Sequence, residues 1–267
     1  MKKNLIILVV AAASVASGSA FAQTSNTATT SQTGISNTAT IEQSSVTNNA
    51  GTIIQSADSN SATIQQLTGG WGQQANTATI SQSSSANTAT DVQVNSWNSS
   101  SSINQYGSSS NVAAIVANDS DYSRQSLTQS GNNNTVSVTS VADHSSVDST
   151  QVGSYNNASI TQTTAVYPTL SDTMDNLRVN LYQNGSSNTA SLLQSAGSDL
   201  AADVVQLGNS NIANVGQSGT YNATSVLQNG NSNYASVVQG MLGTSAGVNN
   251  ANVNQNGSSL VAYINQH

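Results

Sequence analysis

The sequence predicts an all-β fold: a flattened two-sheet β-solenoid of cross-β type, built from ten strand–turn–strand repeats of about 22 residues. Three observations carry this expectation. A seven-residue unit, Asn-x-Ala-x-(Ile/Val/Leu)-x-Gln, opens twenty times between Asn26 and Gln266. Its marked positions are i, i+2, i+4 and i+6, which is the period of a strand with one inward face. Glycine recurs mainly in alternate turns, so the strands pair up.

The unit is strict. Its seventh position is Gln in eighteen of twenty copies, and its fifth is Ile, Leu or Val in seventeen. Clear copies are Asn37-Thr-Ala39-Thr-Ile41-Glu-Gln43, Asn188-Thr-Ala190-Ser-Leu192-Leu-Gln194, Asn211-Ile-Ala213-Asn-Val215-Gly-Gln217 and Asn233-Tyr-Ala235-Ser-Val237-Val-Gln239. Each window predicts a strand roughly 23 Å long, at about 3.3 Å per residue. Asn, Ala, the aliphatic residue and Gln share the inner face, while Ser, Thr and Asn dominate the outer one.

Within a pair the turn reads Gln-x-Gly-x-x-Asn, with Gly34, Gly107, Gly131, Gly153, Gly185, Gly208, Gly230 and Gly257 at the glycine position. Ala57 and Ser84 replace glycine in the other two pairs. Between pairs the equivalent position is glycine only at Gly219. One turn of each pair therefore requires a glycine backbone and the other does not. Longer insertions follow Gln66, Gln162 and Gln239, all between pairs, and the sole proline, Pro168, lies in one of them. The predicted repeats are residues 26–43, 49–66, 76–93, 99–117, 123–140, 145–162, 177–194, 200–217, 222–239 and 249–266, within one domain spanning 23–267.

A strand pair with one thin apolar face cannot bury that face alone, whereas stacked pairs can. Ten layers at about 4.8 Å make a rod roughly 48 Å long. Inside it, Ala and Ile/Val/Leu ladders are flanked by Asn and Gln ladders whose amides bond to the layers above and below. The first window opens close to the N-terminal segment and the last closes at Gln266, which leaves no residues for polar caps. Uncapped strand edges recruit further strands, and a head-to-tail contact that does not close gives a fibre.

Residues 1–22 read as a secretory signal peptide: Lys2 and Lys3, an apolar run from Leu5 to Ala13, and Ala20-Phe21-Ala22 before Gln23. Its removal leaves Arg124 and Arg178 against eleven acidic residues, a formal charge of −9. Two cations give no electrostatic footprint for nucleic acid, and no later apolar run is long enough for membrane insertion. There is no Cys, so no disulfide framework supports the fold. The polar, aromatic-poor composition also fits a disordered stalk, but a disordered stalk needs no fixed spacing.

At this point the residues resemble a known family. Gln-x-Gly-x-x-Asn-x-Ala-x-x-x-Gln is similar to the curlin repeat of bacterial curli fibres, with full copies at Gln32–Gln43, Gln151–Gln162, Gln183–Gln194, Gln206–Gln217 and Gln228–Gln239. The resemblance implies an extracellular functional amyloid of the biofilm matrix, serving surface adhesion and secreted unfolded. It also implies a nucleator subunit, an outer-membrane secretion pore and a periplasmic chaperone as partners. This chain departs from the family in carrying more repeats, and in having only Gln23-Thr24-Ser25 where the major subunit has a Gly-rich targeting segment. The nucleator's basic tail is not matched by Gln266-His267, so the major-subunit role is the expectation.

Residues 87–150 keep the pattern least well. Asp91 takes an inward position, Ala117 and Ser140 replace the last Gln, and Asp119, Asp121, Asp143 and Asp148 crowd the same stretch. Two readings stand. Stacked carboxylates repel and act as gatekeepers against premature assembly, or these are tolerant repeats with acids solvated in turns.

Other motifs carry little. Gly243-Thr-Ser245-Ala-Gly247 has the nucleophile-elbow spacing, but lies in an insertion, and His144 and His267 are the only histidines. In a chain rich in Ser and Gly it is a chance match, so no enzyme and no cofactor are expected. Asp119-x-Asp121-x-Ser123 starts like a calcium loop, yet Arg124 and Ser130 stand where Gly and Glu are required. Gly69-Gly70-Trp71-Gly72 occurs once, with Gln74 in place of Asp. No metal site is expected. A different function class, ice binding, rests on the Thr27/Thr29, Thr38/Thr40, Thr77/Thr79 and Thr88/Thr90 pairs of the outer face, which fade after residue 90.

Overall fold

The computed structural model describes residues 26–44, 48–67, 75–163, 176–240 and 248–266. The signal segment, the Gly69–Gly72 motif, Pro168, the Gly243–Gly247 motif and His267 lie outside these residues. Every element described is a strand. One sheet, called A here, contains β1 (Thr27–Thr33), β3 (Ala50–Ser56), β5 (Thr77–Gln82), β7 (Ser100–Tyr106), β9 (Arg124–Asn132), β11 (Ser146–Ser154), β13 (Arg178–Ser186), β15 (Ala201–Asn209), β17 (Ala223–Asn231) and β19 (Asn250–Ser258). Sheet B contains β2 (Thr38–Ser44), β4 (Ser61–Leu67), β6 (Thr88–Val94), β8 (Val112–Asn118), β10 (Thr135–Val141), β12 (Asn157–Thr163), β14 (Thr189–Ser198), β16 (Ile212–Thr220), β18 (Tyr234–Gln239) and β20 (Val261–Gln266). The chain alternates between the sheets, so each layer holds one strand of each and the whole is a two-sheet parallel β-solenoid.

Alternation of buried and partly exposed residues along the strands follows from the period-two sequence, as in β4 and β16. Equivalent residues sit directly above one another. On sheet B the fifth window position runs Ile41, Ile64, Asp91, Ile115, Val138, Ile160, Leu192, Val215, Val237, Ile264 through consecutive parallel pairings. These ladders and their sheet A counterparts make one continuous apolar core between the sheets. Layer spacing in sequence varies from 22 to 32 residues, yet the register holds, because the extra residues fall between pairs in the sequence. At its two edges the core thins: Ala39, Ile41, Ala262 and Ile264 are only partly buried.

Two features of the turns go beyond the glycine rule. The Asn of each unit lies just before its strand, inside the turn, rather than in the ladder of strand residues. The residue preceding that Asn is left-handed even when it is not glycine, as at Ser59 (φ 61°), Ser187 (φ 58°), Ser210 (φ 57°) and Ser232 (φ 57°). Such backbone costs about 1 kcal/mol or more per residue. It is held because each of these N–H groups bonds to the turn one layer back: Ser59 to Ile35 O (2.8 Å), and Ser187 to Ser154 O, Ser210 to Ser186 O and Ser232 to Asn209 O (2.9 Å each).

Candidate functional site: the amide ladders and their two ends

The glutamines of sheet A form an unbroken file. Nε2 of each donates to Oε1 of the next, from Gln32 through Gln55, Gln82, Gln105, Gln129, Gln151, Gln183, Gln206 and Gln228 to Gln255, at 2.6–2.9 Å. The second Nε2 proton goes to a backbone carbonyl of the facing strand, as from Gln105 to Thr88 O (3.0 Å) and Gln129 to Val112 O (3.0 Å). A fully buried primary amide therefore has both donors satisfied, which a lone buried Gln could not achieve. All these amides point the same way, so the file is polar.

Asparagine does a different job. Oδ1 of one layer accepts the backbone N–H of the next layer's Asn, as from Asn134 to Asn111 and from Asn211 to Asn188 (3.1 and 3.0 Å). Its Nδ2 donates to the carbonyl of the next layer's turn glycine: Asn111 to Gly131, Asn134 to Gly153, Asn156 to Gly185, Asn188 to Gly208, Asn211 to Gly230 and Asn233 to Gly257, at 2.7–3.0 Å. This explains why Gly and Asn recur three residues apart: each Asn holds the glycine turn that belongs to the following repeat. Where that following turn carries Ser84 in place of glycine, Asn60 Nδ2 has no partner.

Sheet B carries the same glutamine file in two pieces. Gln43, Gln66 and Gln93 are bonded at 2.7–2.8 Å, and Gln162, Gln194, Gln217, Gln239 and Gln266 at 2.8–3.0 Å. Ala117 and Ser140 interrupt it. Gln162 Oε1 then lacks the donor that a Gln at 140 would supply, and is buried without a partner. The facing position compensates in volume. Position seven of an even strand faces position three of an odd one, as the Gln217–Thr224 contact (3.2 Å) shows. Opposite Ala117, position three of the following strand is Gln125 instead of the usual Ala; it is buried and its amide is unpartnered. The large amide has moved across the core rather than disappeared, a swap invisible to a reading of each strand by itself. Ala117→Gln alone overfills this site and destabilises by about 1–3 kcal/mol. Combined with Gln125→Ala it extends the file from Gln93, removes the unpartnered amide and stabilises by about 1–3 kcal/mol. Urea midpoints of the two variants check the opposite signs.

The five acids flagged by sequence do not form one carboxylate stack. Asp91 is fully buried and in register with Ile64 and Ile115. Its Oδ2 accepts from Ser101 Oγ (2.5 Å), its Oδ1 has no partner, and burial pushes its carboxyl up to about 7. Asp148 lies on the outer face beside Arg124 (3.5 Å), with no acid above or below it in register. Only the turn acids face one another. Asp121 accepts the N–H of Trp97 and Asp143 accepts that of Asp121 (2.8 Å each). Burial raises the Asp121 carboxyl, and the Asp143 and Asp119 charges add to that. Asp91 and Asp148 therefore stack on no other carboxylate in register: the first is desolvated, and the second is paired with Arg124.

Beside these acids, Trp97, Tyr122 and His144 form a three-layer ring ladder, with centroids 5.5 and 5.0 Å apart. The Thr-x-Thr pairs are divided between opposite faces: Thr27/Thr29 and Thr77/Thr79 on sheet A, Thr38/Thr40 and Thr88/Thr90 on sheet B. Among the described residues no helix is long and apolar enough to cross a membrane.

The fold and its ladders define a protein of repetitive structural type, a parallel β-solenoid whose layers are tied by amides. The family model described as the curlin associated repeat matches residues 175–208. That stretch contains Gln183-Asn-Gly185-Ser-Ser-Asn188-Thr-Ala190-Ser-Leu-Leu-Gln194, so the chain carries a curlin associated repeat and the resemblance holds there. A search of curated proteins finds no match.

Proposed function

We propose that this protein is the subunit of an extracellular, curli-like amyloid fibre, secreted through the periplasm and assembled head-to-tail for matrix structure and surface adhesion. The observation that carries this reading is the polarity of the amide files. At one edge, Gln32 and Gln43 present Oε1 acceptors that no described donor reaches. At the other, Gln255 and Gln266 each use Nε2 on a facing carbonyl, Tyr234 O and Asn250 O, and keep a second N–H directed along the axis. Donors at one end match acceptors at the other, so the edge of one copy continues the ladder of the next. The contact is heterologous and does not close.

The backbone supports the same polarity. In each layer the first strand residue donates to the Asn-position carbonyl of the next layer, as Ala223 does to Asn249 O (2.9 Å) and Tyr234 to Leu260 O (2.8 Å). Asn250 and Val261 hold that position in the last layer. Proline is tolerated at the first residue of a strand. Asn250→Pro with Val261→Pro therefore removes two axial donors and keeps the bonds inside the chain. After dilution from denaturant, the parent forms fibres with reflections near ~4.8 and ~10 Å. The double variant keeps its strand circular dichroism and elongates at least ten-fold more slowly. A parent that stays monomeric at high concentration, or a variant that elongates at the parent rate, rejects the reading.

Asp91, Asp119, Asp121 and Asp143 act in this reading as brakes on assembly of the central layers, chiefly through desolvation at Asp91 and repulsion at Asp121 and Asp143, whereas Asp148 is paired with Arg124. A nucleator, a secretion pore and a periplasmic chaperone are the partners that a curli-type route requires. The two-face split of the threonine pairs gives no support to ice binding.

A further inference from the structure

The two outer faces of the solenoid differ in charge. Sheet A carries Arg124, Asp148, Arg178 and Asp203, paired across layers at 3.5 and 3.0 Å. Sheet B carries Glu42 in its first layer, bonded to Gln65 (2.9 Å), and from β4 to β20 no charged side chain points outward. The remaining described acids, Asp58, Asp119, Asp121, Asp143 and Asp199, lie in turns, apart from the buried Asp91.

Apolar exposure runs the other way. Seven large hydrophobic residues stand exposed on the outer face of sheet B: Val112, Val116, Leu193, Ile212, Val238, Val261 and Tyr263. Sheet A shows three, Ile54, Tyr106 and Tyr182. Five of the seven lie in the last four layers, where Gly216 adds a side-chain-free patch and Tyr234 packs on Tyr263 with centroids 5.6 Å apart.

We propose that the outer face of sheet B is the lateral pairing surface of the fibre, and that its occupant is the same face of a second copy. The inference rests on head-to-tail assembly. Net charge selects the occupant: two copies of a chain with formal charge −7 repel through their turns, and this is the broad face where they can approach with the fewest like charges opposed. Area agrees. Seven residues by ten layers give a face of roughly 1,000 Å² per copy, so a pair buries roughly 2,000 Å², within the range of stable interfaces. The apolar part of one copy is small, but in a fibre it recurs with every subunit, and the contacts add along the axis. Facing β-branched and small side chains interdigitate as a dry sheet-to-sheet zipper.

The test places two carboxylates on one face or the other at equal total charge. Leu193→Glu with Val238→Glu charges sheet B at β14 and β18. Tyr182→Glu with Leu227→Glu charges sheet A at the corresponding layers, β13 and β17. Mass per unit length is read by scanning transmission electron microscopy, and elongation by dye fluorescence. Parent fibres and sheet A variants are expected as pairs or bundles. Sheet B variants elongate at the parent rate as single filaments with half the mass per length of a pair. Sheet B variants that remain paired overturn the proposal, as do sheet A variants that separate equally. Parent fibres that are already single overturn it and leave head-to-tail growth intact; single fibres that bind phosphatidylcholine vesicles through this face would assign it to membrane instead. Absence of any fibre overturns both.

Discussion

Replacing Asp91 by isoleucine is expected to stabilise the solenoid at neutral pH and to remove most of its pH dependence between about pH 4 and 7. The carboxyl sits fully buried in an aliphatic ladder, between Ile64 and Ile115, with one oxygen unpartnered. Burial raises it from 3.8 to about 7, against a smaller opposing effect of the Ser101 hydrogen bond. Between those two values the folded chain holds a proton that the unfolded chain has released. Stability therefore falls as pH rises from about 4 to 7, by on the order of 4 kcal/mol, and levels off above. Asp121, also raised, shifts stability in the same direction, so the comparison is between Asp91→Ile and its parent rather than against a flat line. The substitution continues the ladder without a charge and adds about 1.5–3 kcal/mol from the buried side chain. Denaturation midpoints and fibrillation lag times from pH 4.5 to 8 read the effect. The parent should assemble faster at pH 5 than at pH 8, with the variant fast at both. An equally steep pH profile in the variant would remove Asp91 from this role.

A methyl group at a turn glycine is expected to cost at least as much. In Gly185→Ala the new Cβ lies 1.9 Å from Gly208 O, on a backbone with φ +132°. No flexible side chain can yield there, because the obstacle is the next layer's carbonyl, the one that Asn188 Nδ2 holds at 2.8 Å. Left-handed strain of about 1–2 kcal/mol adds to the steric displacement of two layers, for a loss of roughly 3 kcal/mol or more. Gly216→Ala is the control. A Cβ there meets nothing within 4 Å, and its φ is not in the left-handed region. That substitution should leave stability unchanged within about 0.5 kcal/mol. Equal denaturation midpoints for the two variants would mean that the glycine stack does not govern layer spacing.

The contrast between those glycines marks what was legible. Period-two spacing around Ala190, Leu192 and Gln194 gives β14 and its inward face, because side-chain direction in a strand alternates without reference to anything distant. Stacking was legible for the same reason: identical units in fixed spacing place Gln on Gln, and buried amides need such neighbours. Left-handed Ser187 and Ser210 were not legible, since serine has no preference for that conformation and adopts it only under the pull of the layer behind. Asp91 was correctly placed inside, but its neighbours were not known until the register set it among isoleucines. The curlin repeat was recognised from the same few residues that the family model matches.

By itself, the sequence determined the strands, their inward residues and the pairing of repeats, because these depend on local alternation and on a repeat that specifies its own partner. Tertiary structure decided what each amide bonds to, how Gln125 takes over the volume left at Ala117, and that one outer face carries both arginines and two aspartates while the other carries only Glu42 among the described residues. Those properties belong to pairs of residues in different layers or on opposite walls of the core. No single window contains both members, so only folding brings them within reach.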